Sequence, residues 1–93
     1  MPEIDGYLAD LADRLDVGPA RREEVLSEVR GHLQVAAQAE MEAVQDPAAA
    51  ERLAIHSFGR PGEVAAALNR AYEETRETVR LGPVLVRLFP EGG

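Results

Sequence analysis

The sequence predicts an all-α fold: a small bundle of four helices, followed by a short apolar C-terminal segment. Three observations predict it. Apolar residues recur at spacings of three and four along most of the chain, and no stretch alternates with period two for long enough to suggest a sheet. Glycine and proline punctuate the chain wherever one periodic run gives way to the next. Finally, 93 residues with 45% hydrophobic content suit one small globular domain with a modest core.

The first helix is predicted over residues 2–15. Ile4, Leu8, Leu11 and Leu15 form its inner stripe, while Asp5, Asp10, Asp13 and Arg14 face away. Pro2 suits a first helical turn, where its missing N–H costs nothing, and Glu3 and Asp5 complement the helix dipole. "DVGPAR" then breaks the chain, with Gly18 expected as a left-handed cap and Pro19 as the start of the next helix. The second helix is predicted over 20–44. Its inner stripe is Leu26, Val29, Leu33, Ala36, Ala37, Met41 and Val44, opposite Glu23, Ser27, Arg30, Gln34, Gln38 and Glu42.

In "QDP", Asp46 is a good N-cap and Pro47 a good first helical residue. The third helix is predicted over 47–58, with Ala50, Leu53, Ala54 and Phe58 facing inward. Gly59 should end it in a left-handed cap, and Pro61 should open the fourth helix, over 61–80, with a stripe of Val64, Leu68, Tyr72, Thr75 and Val79. Gly82 and Pro83 break that helix. The helical domain is thus predicted over 1–81, and 82–93, containing "VLVRLF", reads as a tail or linker.

The chemistry of the side chains excludes more than it supports. With no cysteine, a disulfide framework, a cysteine nucleophile and a cysteine-based zinc site are all excluded. His32 follows Glu28 by one helical turn, but two histidines alone do not make a metal site. His56 shares a side of its helix with Arg52, away from Phe58. The carboxylates are scattered over helix faces rather than opposed across a cleft, and no serine or threonine shows a triad partner. No enzymatic activity and no cofactor are expected.

A net charge of -7 repels phosphate backbones and anionic membranes. All ten basic residues are arginines and none forms a basic stripe. The turn over residues 59–62 offers one nucleic-acid reading, with Arg60, Arg70, Arg76 and Arg80 as phosphate contacts. Against it, Pro61 lacks an N–H and Glu63 follows at once. Nucleic-acid binding through this turn is therefore the alternative reading. The chain has no secretory signal and no apolar run of membrane-spanning length; a cytoplasmic protein is expected.

Apolar surface exceeds what one small bundle needs. Leu33 and Met41 on the second helix, with Val84, Leu85, Leu88 and Phe89 in the tail, are the candidate interaction surface for a partner helix or a second copy of the chain.

Three stretches occur in order: "IDGYLADLADRL" (residues 4–15), "RREEVLSEVRGHLQ" (21–34) and "ERLAIHSFGRPGEVAAAL" (51–68). Together they resemble the small bacterial helical signalling domain abbreviated HAAS, also called a permease prefix domain. Tyr7, Leu8 and Leu11, then Glu28, His32 and Leu33, then Phe58, Gly59 and Pro61 occupy its hallmark places. One departure is "VQDPAAA", where family members usually carry Gly-Leu-Ser/Thr before the third helix. The resemblance implies a non-catalytic sensing or adaptor module associated with a PadR-type transcription regulator. It also implies that the chain fits the cytoplasmic head of a longer membrane protein. Phe58, Gly59 and Pro61 are then expected to form a structural corner, with Phe58 buried.

Overall fold

The computed structural model describes residues 2–75. Four helices follow one another: α1 (Pro2–Arg14), α2 (Pro19–Val44), α3 (Pro47–Phe58) and α4 (Pro61–Thr75). No strand occurs among the described residues, and the all-α expectation holds. The predicted continuation of α4 to residue 80, with Val79, lies outside the described residues, as does the segment 82–93.

α1 is the central element. It packs against α2, α3 and α4. α2 and α3 form a hairpin joined by Gln45 and Asp46 alone, and this pair is the most extensive helix contact of the fold. α2 has 26 residues, so it is about 39 Å long at 1.5 Å per residue. α1, with 13 residues, covers only about half of that length.

The core combines the inner faces of all four helices. Ile4, Leu11, Val25, Val29, Leu33 and Leu68 are completely buried, each contributing about 1.5–3 kcal/mol by removal from water. Tyr7 joins the α1 stripe and Val25 the α2 stripe, while Leu26, Ala36, Met41 and Val44 pack on the margin. Phe58 is buried, as expected.

Side chains from distant positions fix both ends of α1. A helix leaves its first backbone N–H groups without intrahelical partners. Here the Ile4 N–H donates to Glu51 Oε1 of α3 at 3.1 Å, so a carboxylate from another helix caps α1 and meets its positive dipole end. At the other end, Asn69 of α4 donates from Nδ2 to the Arg14 carbonyl at 3.1 Å. Its Oδ1 accepts from the Asp16 N–H at 2.7 Å. One amide thus satisfies both groups of the turn that leads from α1 to α2.

Three local expectations are corrected. Gly18 is extended (φ −62°, ψ 162°) and acts as the N-cap of α2, where its carbonyl accepts from the Arg22 N–H. It is not a left-handed cap of α1. The left-handed residue is instead Gln45 (φ 53°, ψ 27°) at the C-terminus of α2, because the two-residue hairpin must reverse at once. Gly59 has φ 123° and ψ 166°, an extended conformation of positive φ reserved essentially for glycine, and not the left-handed helical region. Asp46 stands at the N-cap of α3 as expected, although its side chain makes no capping bond.

Leu53 is also corrected: it is 40% exposed, while Glu51 is buried at 3%. Both positions flank the Ala50–Ala54–Phe58 line on opposite sides. α1 lies on the side of Glu51, so the carboxylate turns inward to its N–H donor and the leucine turns out.

Candidate functional site

Four of the residues that carry the hallmark pattern, Tyr7, His32, Phe58 and Gly59, meet at one joint. Phe58 ends α3 with its ring in the core. Tyr7 of α1 approaches it edge-on, with centroids 6.0 Å apart and planes at 82°, a favoured arrangement for aromatic pairs. His32 of α2 tilts over the same ring at 5.2 Å and 52°. The Tyr7 hydroxyl donates to the Gly59 carbonyl at 2.9 Å. This bond ties the first helix to the corner between the last two, across 52 residues of sequence.

Each contact has a local cause. Gly59 continues the helical pattern just long enough for its N–H to bond the Ile55 carbonyl. It then turns to positive φ, which presents its own carbonyl to Tyr7. Pro61 follows as the first residue of α4, where no N–H is needed. Burial, and secondarily the charge of Asp10, hold the Tyr7 phenol protonated well above its ordinary range. The arrangement locks three helices together and contains no nucleophile paired to a base.

His32 is half-buried against Phe58, and His56 is exposed on α3 beside Arg52. Among the described residues, no three histidine, aspartate or glutamate side chains gather as metal ligands. An open cleft of about 500 Å³ adjoins the joint, lined among others by Arg52, His56 and Arg60 on one hand and Glu3 and Glu63 on the other. Arg52 and Glu3 pair across it at 3.8 Å. Its charges nearly balance, and Pro61 withholds one N–H from the start of α4. Arg60 and Arg70 are exposed, and Arg76 and Arg80 lie outside the described residues.

Of the candidate interaction surface, Leu33 is corrected. It is completely buried, because it faces the seam between α2 and its neighbours at the centre of the bundle. Met41 is half-buried on the core margin. Val84, Leu85, Leu88 and Phe89 lie outside the described residues. Among the described residues, the large apolar side chains that do reach solvent are Val35, 68% exposed, and Leu53. Val35 escaped the sequence reading because it stands on the side of α2 away from the inner stripe, where one valine carries no periodic signal.

The described residues form a four-helix unit with one central helix and a buried aromatic joint, the architecture of a small all-helical domain. More particularly, the HAAS family model matches residues 6–67, two-thirds of the chain, and the chain belongs to that family. No curated protein and no solved structure matches it. HAAS is a small helical signalling or interaction domain and not a known enzyme family. No helix among the described residues is long and apolar enough to cross a membrane.

Proposed function

We propose that this chain is a non-catalytic adaptor module that binds a protein partner, a PadR-type transcription regulator, in the cytoplasm. The observation that carries this reading is the distribution of apolar residues on α2. A bundle helix with one partnered side ordinarily shows one apolar stripe and one polar face. α2 buries Val25, Val29, Leu33 and Ala37, yet also holds Val35 68% exposed on its other side. On that side Gly31, Val35, Ala39 and Ala43 are all exposed, and no described residue covers them. Family membership supports the same conclusion. Residues 82–93 would serve as the linker that follows the module.

Titration calorimetry of the purified chain against a purified PadR-type transcription regulator tests the proposal, with light scattering to fix stoichiometry. A saturable heterocomplex is expected. A chain that stays monomeric and gives no heat with that regulator would refute it, and a homodimer alone would show self-association as the function of the apolar surface.

A further inference from the structure

We propose that the outward face of α2, over residues 31–43, is a docking surface for one amphipathic helix of a different protein, whose apolar stripe is flanked by arginine or lysine. The proposal rests on the adaptor reading and specifies its surface and the chemistry of the partner.

At 3.6 residues per turn, Gly31, Val35, Ala39 and Ala43 succeed one another along one side of a helix. All four are exposed. They form a strip about 18 Å long that is apolar but low, so a second helix axis can approach closely. Val35, 68% exposed, is its one projecting side chain. The strip faces away from Val29, Leu33 and Ala37, which are already used by the core.

Charge selects the occupant. Glu28 and Glu42 stand seven residues before and after Val35, which places both on the same side of the helix. Both are exposed, and neither forms an ion pair among the described residues. Arg30, the nearest cation in sequence, is turned to the other flank and bonded to Asp5 at 2.7 Å. From residue 31 to residue 51 the chain contains Glu40, Glu42, Asp46 and Glu51 and no arginine at all.

A second copy of the chain is the wrong occupant. In an antiparallel pair centred on Val35, Glu28 would face Glu42 of the other copy. In a parallel pair each glutamate would face itself. Either register sets like charges opposite each other at both ends of the contact, which suppresses association. A helix with a basic residue seven positions on either side of an apolar one fits in both registers.

The test uses the intact chain and two synthetic helical peptides of 19 residues. One carries a central leucine with arginines seven residues to either side; its twin carries glutamates there. Amide shifts are followed by NMR. The arginine peptide should move the amides of Gly31, Val35, Ala39 and Ala43 and bind about tenfold more tightly than its twin, the combined effect expected of two exposed ion pairs. V35D should abolish binding without unfolding the chain, since the side chain is exposed. The double variant E28K/E42K should reverse the preference between the peptides, an exchange that a purely structural role would not produce.

Equal affinities for the two peptides, shifts centred elsewhere, or no binding at all would overturn the proposal. So would concentration-dependent shifts of these same amides without peptide, which would mean that a second copy occupies the face. The regulator complex separates this proposal from the adaptor reading. If V35D leaves that complex intact, the adaptor reading survives and this surface does not. If the regulator never binds while the arginine peptide does, the reverse holds.

Discussion

Replacing Gly59 by alanine tests the joint directly. At φ 123° and ψ 166°, a Cβ clashes with its own backbone, and holding a non-glycine residue in such a region costs about 1–3 kcal/mol. The chain will relieve part of that strain by rotating the residue, which moves its carbonyl away from the Tyr7 hydroxyl 2.9 Å off. The lost bond is worth about 1 kcal/mol. Gly59→Ala should therefore destabilise the domain by about 2–3 kcal/mol. For a domain of this size, each kcal/mol lowers Tm by about 4–8 °C, so the change is readily measured by circular dichroism. Tyr7→Phe removes only the hydroxyl and should cost about 1 kcal/mol. In a double-mutant cycle the two costs should be less than additive, because both variants break the same bond. An unchanged Tm for Gly59→Ala, or strict additivity of the two, would refute this account of the corner.

Other positions give independent outcomes. Glu51→Ala should cost about 1–2 kcal/mol in chemical denaturation by uncapping α1, whereas Glu51→Gln, which keeps an acceptor oxygen, should cost less; equal losses would show that the Ile4 bond is not the cause. Gln45→Gly should stabilise the chain by up to about 1 kcal/mol, since glycine adopts the left-handed conformation without strain; a lower Tm would count against the cap geometry. The hydrogen bond from Arg30 holds the Asp5 carboxyl below the ordinary carboxylate range. Its small stabilising contribution is present above the unfolded-state pKa and is lost as pH falls through the lower folded-state value. NMR titration should show the Asp5 midpoint rising in Arg30→Gln, and an unmoved midpoint would contradict the pairing. Tyr7 shifts in the opposite sense, so its stabilisation holds below the ordinary tyrosine pKa of about 10 and is lost as pH rises above it. Stability should therefore fall less steeply above that pH in Tyr7→Phe than in the wild type, and identical alkaline profiles would remove this role.

The joint ties α1, α2 and α3 together at the corner that leads into α4. Tyr7, His32 and Phe58 come from three different helices, and Glu51 and Asn69 fasten the two ends of the central one. Of the groups that sequence alone offered as chemistry, His32 is taken up by the joint. The surface left over is helical, acidic and apolar in patches, which suits recognition of another helix.

The sequence by itself determined the four helices, their prolines and the membership of the family. Each of these depends on local spacing: apolar residues three and four apart, proline where a first turn lacks donors, and Phe-Gly-x-Pro at a corner. It also placed Phe58 in the core, because an aromatic at the end of an inner stripe has nowhere else to bury its ring. Only the tertiary structure decided which flank of each stripe is covered. Leu53 and Glu51 stand symmetrically about the inner line of α3, and the position of α1 alone turns the glutamate in and the leucine out. The same holds for Leu33, which reads as apolar surface until its neighbours surround it, and for Val35, which reads as incidental until the opposite face of α2 proves already filled. Glycine conformation followed the same division. Composition marks Gly18 and Gly59 as breaks, but the direction in which the chain must leave each helix sets φ, so the left-handed turn falls on Gln45 and Gly59 extends to meet Tyr7.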